Sequence, residues 1–415
     1  MTVRNAGPRG RQFFFNPGPT NIPDRVLKAM DRATIDFFSE EAVAIFQRVH
    51  AGLKRVLKTE QHLLVYASNG HGAWEAGLVN LFEPGARLLV LESGRFSTSW
   101  AEMATALGYE VETIGCDWRR GVPPEAVAER LKADTGHAIQ GLLVVHNETA
   151  TGVVQPLAAI RKAIDAAGHP ALLLVDTISS LASMDFRMDA WGVDIVVGGS
   201  QKGLMMTTGL AFTGISERAM ARSQRINTRR SYWAWKDMLT HKPQRMPGTT
   251  PVHMLFGLED SLKMLEEEGL DAVFRRHRRL AGAVRAAVAH WGGGVKSEIS
   301  VDSRGFSGPI KAMEILPGDA ARVSDSVTAV MVPAGHDANA MRKIALERYN
   351  LSLGGGLGPL NTHVFRIGHM GDLNEPMLLG ALSTIELALR VAKIPHETGG
   401  IDAAIRALEA EEAGA

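Results

Sequence analysis

The chain reads as an α/β protein, with a mostly parallel seven-stranded sheet flanked by helices and a smaller α+β unit near the C-terminal end. Three observations carry this reading. Short apolar runs alternate with amphipathic stretches between about residues 40 and 215. Several of the runs are continuous rather than alternating in polarity, as in strands buried on both faces of a sheet. After about residue 255 the rhythm changes to longer helical patterns with fewer strands.

The expected strands of the main sheet are His62–Ala67, Arg87–Glu92, Glu110–Ile114, Gly141–His146, Ala171–Asp176, Asp194–Gly198 and Gly209–Thr213. Helices fill the gaps. Phe46, Val49, Leu53 and Leu57 recur at helical spacing, as do Trp100, Met103 and Leu107 before a terminating Gly108. Pro156 opens another helical stretch and Gly168 closes it. One long helical region is expected over Leu258–Trp291, ending at Gly292-Gly293-Gly294. Beyond it come strands at Ser326–Val332 and His363–Gly368, and helices near Ala338–Tyr349, Glu375–Ala392 and Ile401–Glu412. The segment Ser297–Ser324 has no clear period. A chain of 415 residues exceeds the size at which one core usually stops growing. The expected division is an arm over residues 1–20, a large domain over 21–290 and a small one over 291–415.

Composition narrows the function classes. Lys+Arg and Asp+Glu balance at 45 each, which gives no basic surface for nucleic acid. No apolar run approaches the ~18 residues that span a bilayer. The single cysteine, Cys116, rules out an internal disulfide and fits a reducing compartment. Met1–Gln12 carries arginines but no apolar core of a secretory signal, and the last residues form no known address, so the cytoplasm is expected. No metal site is expected.

Chemistry is concentrated at strand ends. Asp176 closes the apolar run ALLLV, and Lys202 sits in the small polar turn Gly198-Gly199-Ser200-Gln201-Lys202-Gly203 after another. In open α/β sheets ligands bind at that rim. A desolvated lysine can lose its proton and attack a carbonyl carbon. A buried carboxylate needs a cationic partner, and a protonated pyridine nitrogen is one. Taken singly, Asp176 reads as a helix cap and Lys202 as a surface turn residue. Together they read as a cofactor pair. Ser68-Asn69-Gly70-His71-Gly72 opens a helix whose N-terminus suits an anion. Phe96 could stack on a flat ring, or be an ordinary core aromatic. His146, at another strand end, reads as packed and hydrogen-bonded rather than as a general base.

These residues, with further motifs, resemble one family. From about Asn16 to Ala392 the chain is similar to class V aminotransferases of pyridoxal-phosphate (PLP) fold type I, in the alanine–, serine– and aspartate–glyoxylate branch. The motifs are Asn16-Pro-Gly-Pro-Thr-Asn-Ile-Pro23, Asn69-Gly70-His71 with Trp74-Glu75-Ala76, His146–Gly152, Ser200-Gln201-Lys202, Thr249-Thr250-Pro251-Val252 and Phe365–Gly371. The resemblance implies that Lys202 holds PLP as a Schiff base and shuttles protons, while Asp176 contacts the pyridine nitrogen. It puts Phe96 on the ring and Thr149 beside the phenolic oxygen. Asn69, Gly70, His71 and Gln201 match phosphate-binding positions, Ile178 lies beside the cofactor, and Thr249 reaches in from a second subunit. Arg366 matches the clamp on the substrate α-carboxylate, a task suited to a bidentate fork. Gly18 and Asn21, in the arm, lie over the substrate.

The implied reaction is ping-pong transamination from serine, alanine or aspartate to a small 2-oxo acid such as glyoxylate, in a homodimer with shared sites. Met246 stands where close relatives have tyrosine, and Tyr232-Trp233-Ala234-Trp235 departs from their entrance pattern. Both point to a shifted substrate preference. The rival readings are a PLP-dependent lyase or cysteine desulfurase, the latter needing Cys116 to be reactive, and a non-catalytic binding protein of the same fold.

Overall fold

The computed structural model describes residues 9–240 and 245–413. The first eight residues of the expected arm and the last two of the chain lie outside them. The main sheet runs in the order His62–Ser68, Gly209–Ile215, Ile195–Gly199, Leu172–Asp176, Ile139–Val145, Arg87–Leu91, Glu110–Ile114. Every pairing is parallel except those of Gly209–Ile215, which is antiparallel to both neighbours.

The continuous apolar runs are explained by burial on both faces. Leu89, Leu91, Leu142, Val144, Leu173 and Val175 pack into one core with helices Glu40–Leu57, Leu157–Ala166 and Val252–Glu268. Their neighbours Leu88, Val90, Leu143, Val145, Leu172 and Leu174 pack into another with helices Gly70–Leu81 and Arg95–Ala106. Fully burying such a side chain stabilises the fold by about 1.5–3 kcal/mol, so the sheet is fixed from both sides.

A second, five-stranded sheet has the order Phe13–Phe15, Leu351–Gly355, Val364–Gly368, Val327–Met331, Glu314–Ile315. Helices Ala338–Tyr349, Glu375–Val391 and Gly400–Ala413 accompany it. Its core includes Leu280, Val284, Val288 and Trp291 of helix Leu270–Trp291 and Phe15 of the arm.

Three expectations need correction. The helical region Leu258–Trp291 is two helices, Val252–Glu268 and Leu270–Trp291, separated at Gly269 with φ +81°. That conformation is open to glycine and ends a helix, yet the apolar period runs on across it. The strand Leu351–Gly355 shows no clear strand pattern in sequence because it ends in glycines, and Phe13–Phe15 shows none because three residues carry no period. The unassigned stretch within Ser297–Ser324 forms a small hairpin, Val301–Asp302 with Gly305–Phe306, and the edge strand Glu314–Ile315. Arg119 anchors it, donating from Nε to the Leu316 carbonyl (2.9 Å) and from Nη2 to Glu314 Oε2 (3.1 Å).

Candidate active site

Strand carboxyl ends of the main sheet carry the site. A cavity of about 210 Å³ opens there, lined by Gly18, Asn69, Gly70, His71, Phe96, Thr149, Asp176, Ile178, Gln201 and Lys202 among others. These residues, scattered from the arm to the last strand connection, converge on one cavity.

Asp176 is the last residue of its strand and is buried. Its Oδ2 accepts the Trp74 indole N–H at 2.8 Å, and Oδ1 accepts the Ile178 backbone N–H at 2.7 Å. Burial pushes its carboxyl up to about 7, and the Glu148 charge adds to this, against the two donors and the Lys202 charge. A cation at this end of the cavity would favour its ionised form. Trp74 is itself held by stacking on Trp100, with centroids 5.3 Å apart and planes within 11°.

Lys202 lies in the loop after Ile195–Gly199. Gly203 lets that loop pass, because a Cβ there would stand 2.2 Å from the Leu181 carbonyl oxygen. The lysine is buried, and its Nζ donates to the Pro17 carbonyl of the arm. At Gly18, whose φ of +98° favours glycine, a Cβ would meet Lys202 Cδ at 2.2 Å. Burial, then the nearby Arg366 charge, brings the amine down to about 7, with Asp176 opposing. It is therefore poised to gain or lose a proton near neutrality.

Asn69 caps helix Gly70–Leu81 by accepting the His71 backbone N–H at 3.1 Å. The cap leaves the start of a 12-residue helix facing the cavity. A Cβ at Gly70 would lie 2.0 Å from Ile178 Cδ1, so a larger residue there would push that side-chain end aside. Thr149 Oγ1 donates to Ser179 Oγ at 2.6 Å, and Ser179 Oγ donates to the Asn147 carbonyl at 2.7 Å. Phe96 belongs to the first turn of helix Arg95–Ala106 rather than to a strand end.

Three of the expected residues stand apart from the lining. Arg366, on strand Val364–Gly368, is buried behind Thr149, donating from Nε to the Gly355 carbonyl (2.7 Å) and from Nη1 to the Thr149 carbonyl (3.0 Å). Burial lowers its guanidinium to about 10, so it stays charged at neutral pH. Asn21 turns away and donates to the Phe14 carbonyl at 2.7 Å. Thr249 is exposed on its own chain.

The sequence reading did not assign Trp74, Ser179 or Glu148 to the site. Trp74 has a signal, an aromatic early in the helix after a glycine-rich loop. Ser179 and Glu148 have none, because the contacts that tie them to the site, other than Glu148 to Ala150, join residues distant in sequence. His146 is the packed histidine expected: its Nδ1 meets Ser180 Oγ at 2.9 Å, and burial holds it down at about 4. Cys116 does not suit a nucleophile. Its Sγ donates to the Glu92 carbonyl at 3.1 Å, and burial with nearby acidic groups pushes the thiol up to about 12.

PLP fits these residues. Among the described residues the Asp176 carboxylate accepts two hydrogen bonds, and it faces the cavity with lone pairs left for a pyridinium. Gln201, whose Oε1 is buried without a partner among the described residues, borders the same cavity. The aldehyde-reactive amine is Lys202. The chain's family follows from comparison as well. The aminotransferase class-V model matches residues 12–364. The chain is 42% identical over 394 residues to the L-aspartate–glyoxylate aminotransferase of Paracoccus denitrificans, covering 94% of each. It is 41% identical to the serine–glyoxylate aminotransferase of Methylorubrum extorquens, covering 92% of this chain and 91% of that one. Among solved structures, the pyridoxamine–pyruvate aminotransferase of Mesorhizobium loti superposes with a TM-score of 0.86 at 26% identity, covering 98% of this chain and 99% of that one. With PLP as its cofactor, this chain belongs to the class-V aminotransferase family.

Proposed function

We propose that the chain transfers an amino group from a small amino acid (serine, alanine or aspartate) to glyoxylate, in two half-reactions that share one site. The observation that carries this is the burial of Lys202 and Asp176 in one cavity, with Arg366 charged just behind Thr149. The names of the relatives that act on glyoxylate support the acceptor.

PLP, when bound, supplies an aldehyde carbon and an electron-withdrawing ring. The chain supplies the rest. Lys202 anchors the cofactor, and its released Nζ takes the proton from the substrate Cα and returns it to the cofactor side. An amine brought down to about 7 suits both halves of that transfer. Asp176 keeps the ring nitrogen protonated, and Trp74 fixes the carboxylate. Arg366 clamps the substrate carboxylate with its Nη2 edge, which makes no hydrogen bond among the described residues. Phe96 covers the ring face, Thr149 meets the phenolic oxygen, and Ile178 and Gln201 border the cofactor. Asn69, Gly70 and His71 hold the phosphate.

The reading extends to assembly. The exposure of Thr249 suits a residue that completes a partner's phosphate site, in a homodimer with shared sites. Gly18 covers Lys202, while Asn21 would need to turn from Phe14 to meet substrate. The proposed division is an arm to residue 20, a large domain to 290 and a small domain from 291. Among the described residues no helix is long and apolar enough to cross a membrane. A cytoplasmic setting accords with the lone, buried-leaning cysteine.

A panel of amino donors against glyoxylate and pyruvate tests the substrate claim. Glyoxylate should accept from at least one of the three donors. Pockets separate such donors by only about 1–3 kcal/mol per small group, so graded rates are expected. Lys202→Ala should abolish turnover. Full turnover by that variant would refute the assignment.

A further inference from the structure

We propose that Glu148 is a positioning residue for the cofactor site: its buried carboxylate fixes the Phe96 turn on one side of the cavity and the Thr149 turn on the other. Glu148 is fully buried at the end of the two-residue strand Asn147–Glu148. Its Oε2 accepts the backbone N–H groups of Phe96 (3.0 Å) and Ser97 (3.1 Å), in the first turn of helix Arg95–Ala106. Its Oε1 accepts the backbone N–H of Ala150 at 3.0 Å.

The approach is built in. A Cβ at Gly94 would stand 2.4 Å from Glu148 Cγ, so the carboxylate reaches that turn only because residue 94 has no side chain. The helix start favours a negative charge. On the other side, the Ala150 contact closes the turn just after Thr149, whose carbonyl accepts Arg366 Nη1 at 3.0 Å. One carboxylate thus ties together the aromatic, the hydroxyl and the guanidinium of the site. A buried carboxylate is costly to keep in a fold, and here every donor it satisfies belongs to a turn that bears a site residue.

The inference rests on the roles proposed above for Phe96 and Thr149. The test uses Glu148→Gln, which keeps size but turns one acceptor oxygen into an N–H donor facing backbone N–H groups. PLP affinity would be measured by titrating the apoprotein, together with the circular dichroism of the bound cofactor's visible band. Loss of a charged hydrogen bond predicts a PLP Kd raised roughly tenfold or more, with an altered visible dichroism band and an unchanged far-ultraviolet spectrum. Phe96→Ala is measured in parallel, and adding E148Q to it should weaken binding by less than E148Q does alone, since the two share the Phe96 turn while Glu148 also acts through the Thr149 turn.

Wild-type Kd and visible dichroism in E148Q would overturn the inference, as would effects of E148Q and F96A that simply multiply. If F96A weakens binding and E148Q does not, this inference fails alone. If F96A leaves Kd and dichroism unchanged, the Phe96 role fails and the inference with it. Should E148Q not fold, Gly94→Ala takes its place, because the added methyl displaces the carboxylate without removing its charge. Wild-type behaviour in G94A would equally overturn the proposal.

Discussion

Two residues in the cavity are displaced from their ordinary protonation in opposite directions, and this gives signed expectations. Burial brings Lys202 down to about 7, so its free base accumulates between about pH 6 and pH 8 rather than near pH 10. The rate at which PLP loads onto the apoprotein should rise through that window, followed by the growth of visible absorbance. A rise confined to about pH 9 and above would contradict it. Asp176 is raised from 3.8 to about 7. The folded chain therefore holds a proton there that the unfolded chain releases, and this contribution to stability is present at low pH and lost as pH rises through about 7. In the apoprotein, the melting temperature of wild type relative to Asp176→Asn should fall between about pH 4 and pH 7. A difference that is flat or rising would show that Asp176 is not held protonated. Trp74→Phe removes the 2.8 Å donor to Asp176 and should weaken PLP binding roughly tenfold, read by titration of the apoprotein.

Turns between elements hold the site in place, and they were the least legible in sequence. The strands and most helices could be read because their apolar residues follow the periods that burial demands. The two faces of the main sheet, split between separate cores, confirm the reason. Gly269 escaped notice because a left-handed residue interrupts the backbone without interrupting the apolar pattern. Leu351–Gly355 escaped because its last residues carry no side chain to show a period. Within the site, Lys202, Asp176 and the Asn69–His71 turn were visible as polar groups that end apolar strands. Glu148 and Ser179 were not, because their function depends on contacts across long sequence separations. The Lys202 loop offers a direct test at this scale. Gly203→Ala would press a methyl within 2.2 Å of the Leu181 carbonyl, a backbone contact that cannot yield cheaply. Overpacking of this kind costs about 1–3 kcal/mol, so the variant should melt earlier in a thermal scan and load PLP poorly. A variant that melts and loads like wild type would show that the loop is free to shift.

At the scale of the whole molecule, the site lies between the main sheet and the five-stranded sheet. Lys202 and Asp176 come from the first, and Arg366 from the second. The arm joins them, pairing Phe13–Phe15 with Leu351–Leu353 before setting the Pro17 carbonyl against Lys202. If Thr249 completes a neighbour's site, the protein in solution should have about twice the chain mass of 44.8 kDa, as light scattering would show. A monomer with full activity would remove the shared-site proposal. Transamination through Lys202 itself is decided by a single half-reaction. Purified PLP-loaded protein is mixed with an accepted amino donor and no oxo acid, while visible absorbance and keto-acid release are followed. One equivalent of keto acid per site should appear as the visible band bleaches, glyoxylate should restore the band, and Lys202→Ala should do neither. Continuous keto-acid release without an acceptor, or an unchanged spectrum with the donor, would contradict the transaminase mechanism.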